Sequence, residues 1–316
     1  MPHTDFSGVW VPMPTPFFHG AIDHAAASDH AQHLLDSGVH GLVVAGTTGE
    51  GYALRADERR RLLDSVLAVS ARRRPDVRTP VLVGLEGPAT AQVADAARSL
   101  NDMPIAGFLV SAPSYVRPTT EGLYRHFMSV AEATDKPIVL YNVPARTGTS
   151  MRLPCVARLH AQGRFPAIKA CGQTIESLQG LIDIDGLQVL SGDDDGFFLT
   201  VQMGGAGGIM ASANILTERF VEIYALMKAN RIEDAWALFE SLRPLIRLLF
   251  SEPNPTPVKA ALSMRGQMAE DLRLPLLPMR REGRAALKQA LFQLGALSGD
   301  SIPPYCHRPW HRAKAS

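Results

Sequence analysis

The chain has 316 residues, of which 46% are hydrophobic and 20% charged, with a formal net charge of +1. That is the composition of a soluble globular protein, with room for one large domain or a large and a smaller one. A balance so near neutral gives no electrostatic basis for binding nucleic acid or an anionic membrane.

Short apolar runs alternate with amphipathic stretches through the first two thirds of the chain. The runs are Val9–Pro16, Gly41–Ala45, Pro80–Gly84, Ile105–Val110, Pro137–Tyr141, Ala167–Ala170, Leu187–Ser191 and Gly207–Ala211. They are nearly continuous in apolar residues, which suits parallel strands covered on both faces. Between them, Leu62, Leu63, Val66 and Leu67 form a helical stripe that starts near Asp57 and Glu58. Leu123, Phe127, Val130 and Ala131 form another, with Thr120 placed to cap it, and Leu178, Leu181 and Ile182 follow Thr174. Eight strands separated by helices predict an α/β fold of the TIM (β/α)8 barrel type. An open doubly wound sheet usually carries a phosphate-binding glycine loop after its first strand, whereas here Pro12, Pro14 and Pro16 follow it.

The alternation ends near residue 230. Ile232–Phe250, Pro257–Met264 and Gly283–Leu297 read as helices, with Pro253 and Pro255 breaking the first two apart. The expected organisation is a barrel over residues 1–230, a helical extension over 231–300 and a loosely held tail over 301–316. His307 and His311 in that tail read as part of a frayed end, not as a metal pair. Cys155, Cys171 and Cys306 are odd in number and form no CxxC pair, which argues against a disulfide framework or a metal site. No basic region leading into an apolar stretch opens the chain, and no run approaches a membrane span. A cytoplasmic protein with no membrane partner is expected.

Reactive residue types collect at the predicted C-terminal ends of strands, where barrel enzymes do their chemistry. Gly46-Thr47-Thr48-Gly49-Glu50 follows the second run; its amides and hydroxyls suit a carboxylate. Tyr115 lies just beyond the fourth run, and Tyr141 ends the fifth, with Arg146 in the loop after it. Phenols relay protons, and a guanidinium offers a planar fork to a carboxylate. Lys169 interrupts the sixth run, in Phe165-Pro166-Ala167-Ile168-Lys169-Ala170. A strand-end lysine whose stem lies on apolar surface is the plain explanation. The sharper one is a desolvated amine, held neutral by burial, that attacks a carbonyl. Ser191-Gly192-Asp193-Asp194-Asp195 closes the seventh run; an aspartate capping the next helix, with its neighbours solvated, is expected there. The eighth run, around Ile209, is small and tight.

In order and spacing, GTTGE, YNVPARTG, the strand-six lysine, SGDDD and Glu252-Pro253-Asn254-Pro255 resemble the dihydrodipicolinate synthase and N-acetylneuraminate lyase family, over nearly the whole chain. The resemblance implies a TIM barrel with a C-terminal helical extension, assembled as a tetramer of two tight dimers. It implies an imine between Lys169 and pyruvate, with no metal or organic cofactor, and a second substrate that is an aldehyde. By the same resemblance Thr48, with Thr47, holds the pyruvate carboxylate and Tyr141 shuttles protons. Thr47 and Tyr115 complete the relay, Tyr115 from the neighbouring subunit. Gly46 and Gly192 belong to the binding site, and the Ile209 carbonyl lies close to the lysine nitrogen. Arg146 in PARTG favours the synthase branch, whose second substrate is aspartate semialdehyde. A keto-deoxy sugar acid aldolase or dehydratase, a sialic acid lyase, or a pyruvate-binding regulator without turnover are the alternatives. Gly51-Tyr52 replaces the small residues common in synthases, and Tyr52 is expected to reshape the mouth. The stretches Arg55–Arg59 and Pro88–Gln92 lack the residues typical of lysine-inhibited synthases, so feedback by lysine is expected to be weak or absent.

Overall fold

The structure is a computed structural model that describes residues 5–72 and 79–297. The tail expected over 301–316, with Cys306, His307 and His311, lies outside the described residues.

Eight parallel strands close into a barrel in sequence order: β1 (Gly8–Pro12), β2 (Gly41–Val44), β3 (Val81–Leu85), β4 (Gly107–Ser111), β5 (Ile138–Asn142), β6 (Ala167–Ala170), β7 (Gln188–Ser191) and β8 (Gly207–Ile209). β8 pairs back onto β1, with Val9 opposite Gly208. Around it run α1 (His24–Asp36), α2 (Ala56–Ala71), α3 (Thr90–Ser99), α4 (Thr120–Glu132), a single turn α5 (Pro144–Thr147), α6 (Leu153–His160), α7 (Ile175–Ile182), α8 (Phe197–Gln202) and α9 (Thr217–Lys228). The first apolar run is longer than its strand. After β1 the chain turns through a two-residue hairpin, Phe17–Phe18 against Ala21–Ile22, that the periodicity did not announce.

Alternation along the strands sorts the core into two layers. Val9, Val11, Leu42, Val44, Val81 and Val83 face the helices in the main cluster. Trp10, Val43, Leu82, Leu109, Val139, Ala167, Leu190 and Ile209 fill the barrel interior. Burying each large aliphatic side chain contributes about 1.5–3 kcal/mol, so both faces of every strand must be apolar. That is why the runs read as continuous rather than alternating.

Two helix caps separate expectation from outcome. Thr174 caps α7, its hydroxyl accepting from the Ser177 N–H. At α4 the cap is Thr119, which accepts from the Gly122 N–H, and Thr120 is the first helical residue. Two threonines in a row left the choice open by one position.

After α9 come α10 (Ile232–Leu249), α11 (Thr256–Met264) and α12 (Arg281–Gln293). Leu245, Leu249, Val258, Leu262, Leu287 and Leu291 from these three helices make a separate buried cluster. Among the described residues no helix is long and apolar enough to cross a membrane.

Candidate active site

Strand register assembles the centre. Ser111 of β4 lies opposite Tyr141 of β5, Tyr141 opposite Lys169 of β6, and Lys169 opposite Leu190 of β7. Tyr141 and Leu190 belong to the interior layer. The Lys169 side chain extends beside them, buried to 7% exposure, its Nζ 4.6 Å from the centroid of the Tyr141 ring. Above it opens a cavity of about 450 Å³, lined by Thr47, Thr48, Tyr141, Arg146, Lys169 and Ile209. Gly46 and Gly192 form part of the same wall. Gly192 has to be glycine: a Cβ there would stand 2.3 Å from Cys171 Sγ and 3.1 Å from Lys169 Cγ.

The amine is not held neutral. Burial lowers the pKa of Lys169, but the acidic groups Tyr141, Cys171, Asp194 and Asp193 outweigh it, and the net direction is upward. Burial raises the pKa of Tyr141, and that of Cys171 to about 12, so both keep their protons near neutral pH. Desolvation alone, the basis of the sequence expectation, was the wrong sum, because it omitted the acidic groups packed around the nitrogen. Lys169 rests as an ammonium and must give up a proton before it attacks.

Thr47 shares the cavity with the Tyr141 phenol and opposes slightly the upward push of burial on its pKa. Thr48 is buried and its Oγ1 accepts from Asn254 Nδ2 at 2.9 Å. The loop that presents both threonines is held under strain: Ala45 and Glu50, at its two ends, have left-handed backbones with φ of 54° and 49°. Glu50 is anchored from below by Lys259 Nζ at 2.5 Å and by the Arg273 N–H at 2.9 Å. So the glutamate of GTTGE serves the loop, not the cavity.

The three aspartates depart from the expected helix cap. Asp194 is buried and accepts from the Ser212 N–H at 2.6 Å, with its pKa pushed up to about 6, mainly by burial. Asp193 accepts from the Gly172 N–H, and Asp195 pairs with Arg243 at 2.7 Å. None of them caps a helix by its side chain. Asp193 and Asp194 line the cavity. A run of acids gives no sign of which member turns inward, so their place at the site was missed.

Tyr115 is the sequence-predicted residue that the fold does not bring in. It is 91% exposed, with a left-handed backbone at φ 71°, and it does not line the cavity. Asn254 and Glu86 line it without having been singled out. Asn254 stood inside a matched motif, which was signal enough; Glu86 had none. Among the described residues no group of three or more His, Cys, Asp or Glu side chains is placed to hold a metal ion.

The profile of the Dihydrodipicolinate synthetase family matches residues 5–294. The chain belongs to that family. It is 38% identical over 297 residues to the 4-hydroxy-tetrahydrodipicolinate synthase of Sodalis glossinidius, covering 92% of this chain and all of that one. It is 35% identical to the enzyme of the same name from Syntrophus aciditrophicus, over 92% of this chain and 99% of that one. Among solved structures it is similar to the dihydrodipicolinate synthase of Thermotoga maritima, with a TM-score of 0.89 at 33% identity, over 93% of this chain and all of that one. A chloride-inhibited dihydrodipicolinate synthase from Acinetobacter baumannii, complexed with pyruvate, gives 0.88 at 30% identity, over 92% and 99%. Members of the family are lyases of the class I aldolase type, and this chain is an enzyme of that type.

Proposed function

We propose that this chain condenses pyruvate with L-aspartate 4-semialdehyde to 4-hydroxy-tetrahydrodipicolinate, a step of lysine and diaminopimelate biosynthesis in the cytoplasm. The observation that carries the reading is Lys169 Nζ, buried beside the Tyr141 ring at the floor of a cavity. Relatives at 35–38% identity that bear the synthase name support the choice of reaction.

In this reading the deprotonated Lys169 nitrogen attacks C2 of pyruvate and water leaves, giving an imine. The Tyr141 phenol, kept protonated by burial, donates to the departing oxygen. Loss of a C3 proton gives an enamine, and C3 attacks the aldehyde carbon, whose oxygen takes up a proton. The amino group of the product then attacks C2, closes the ring and expels Lys169. Protonated imine nitrogen is the electron sink throughout, so the steps call for no metal or organic cofactor. Thr47 and Thr48 hold the pyruvate carboxylate, with Gly46, Gly192 and the Ile209 carbonyl shaping the space around the lysine, and Arg146 receives the carboxylate of the second substrate. Tyr115, so exposed in one chain, completes the proton relay of a neighbouring copy in a homotetramer built from two dimers. The barrel, residues 1–230, carries the chemistry, and the helical region 231–300 braces its mouth.

Borohydride in the presence of pyruvate adds a stable mass to the peptide containing Lys169, and none in Lys169→Ala. L-Aspartate 4-semialdehyde is then consumed faster than N-acetylneuraminate or a 2-keto-3-deoxy sugar acid is cleaved. An unmodified wild-type protein would sink the imine, and preference for a sugar acid would sink the choice of aldehyde. Because the resting amine is charged, imine formation accelerates as pH rises above neutrality.

A further inference from the structure

Glu86 follows the last residue of β3 and lines the same cavity as Lys169 and Arg146. Its Oε1 is buried and has no hydrogen-bond partner among the described residues. The backbone N–H of Tyr52 and the charges of Arg59 and Arg146 act on the carboxyl. Arg59 does not satisfy it: one of its terminal nitrogens donates to the Gly51 carbonyl at 3.0 Å, and its Nε is also unpartnered. A carboxylate taken out of water costs stability unless something pairs with it. Here a carboxylate with a free oxygen and a guanidinium share one cavity. That arrangement complements a ligand with a cation and an anion close together, as on the α-carbon of an amino acid.

We propose that Glu86 determines specificity for the second substrate: its carboxylate binds the α-ammonium of an α-amino aldehyde whose carboxylate is held by Arg146. The proposal rests on the reading given under Proposed function and extends it to a residue with no role there. It makes the cavity selective for an amino-acid aldehyde over one with the same chain and no amine. Burial raises the pKa of Glu86, partly opposed by Arg59, the Tyr52 N–H and Arg146, so ammonium recognition fails on the acid side earlier than for an exposed glutamate.

The test compares L-aspartate 4-semialdehyde with succinate semialdehyde, which lacks only the amine and whose adduct leaves Lys169 by hydrolysis of the imine, in wild type and Glu86→Gln. In the variant kcat/KM for the amino aldehyde falls about 10- to 100-fold, the range of a hydrogen bond to a charged group. For succinate semialdehyde it stays within about twofold, so the preference collapses, and the acid limb of the wild-type pH profile for the amino aldehyde disappears. The borohydride-trapped pyruvate adduct in the same variant reports that the site is still assembled; were it lost, the ratio of the two aldehydes in Glu86→Asp decides. Equal losses for both aldehydes, or no loss for either, overturn the proposal while leaving the synthase reading intact. A wild-type protein that forms the pyruvate adduct but turns over neither aldehyde overturns both.

Discussion

Two lysines are buried among the described residues, and they are opposites. Lys259, in α11, is fully buried and paired with Glu50, and its Nζ also donates to the Asp271 carbonyl at 2.8 Å. Burial pulls its pKa down to about 8. Lys169 is nearly as buried, yet its pKa moves up and it opens onto a cavity instead of being closed in an ion pair. By pKa direction alone Lys259 would pass for the nucleophile. What distinguishes Lys169 is access: space above the nitrogen, a phenol beside it and hydroxyls across from it. Lys259 has none of these, because its protein partners already occupy its surroundings. A perturbed lysine is thus a sign of burial, and only a cavity makes it a sign of chemistry.

Exchanging the two lysines in turn is the strongest way to break that contrast. Lys169→Ala abolishes turnover and the trapped pyruvate adduct, read by mass, with the folded state retained in circular dichroism. Lys259→Met leaves the adduct on Lys169 in the folded fraction but destabilises the protein by about 3–5 kcal/mol, because the Glu50 carboxylate stays buried without its cation. Adding Glu50→Gln recovers part of that loss in urea denaturation. An adduct on Lys259, or a Lys259→Met protein as stable as wild type, would end the distinction.

Alkaline stability reads the same difference more gently. An unfolded lysine titrates near pH 10.4. Between about pH 8 and that value the unfolded chain holds a proton on Lys259 that the folded chain has released, so the contribution of Lys259 to stability rises with pH. The wild-type minus Lys259→Met difference therefore grows across this window by up to about 3 kcal/mol. For Lys169, whose folded pKa is raised, the sign reverses. Its contribution is complete below about pH 10 and is lost as pH climbs through the folded value. Parallel slopes in the two difference curves would show that the environments are alike after all.

The barrel was legible because its requirement is repetitive: eight short strands apolar on both faces leave eight continuous runs, and no other part of the chain imitates them. Lys169 was legible because a cation interrupts one of those runs. Its charge state was not, since the acidic groups that act on it, Tyr141, Cys171, Asp194 and Asp193, include a residue of the neighbouring strand β5 and two from the loop after β7, and most are distant in sequence. Glu86 was hidden for a similar reason. A glutamate after a strand looks solvated until closure of the barrel turns it inward beside Arg59 and Arg146. Lys259 sat in plain view within an apolar helix, but its partner Glu50 lies 209 positions away.

The two lysines meet indirectly at the strained threonine loop, and its lighter tie gives the smallest test. α11 and the segment before it hold that loop twice: Lys259 grips Glu50 below, and Asn254 donates to Thr48 at the cavity wall. Removing the second tie with Asn254→Ala costs about 0.5–1.5 kcal/mol, the worth of one neutral hydrogen bond. If Thr48 holds the pyruvate carboxylate, that loss falls on binding: KM for pyruvate rises about 2- to 10-fold while kcat holds, because Lys169 and Tyr141 are untouched. A fall in kcat at constant KM would instead place Asn254 in the chemical step. It would also show that the helical extension does more than brace the barrel mouth.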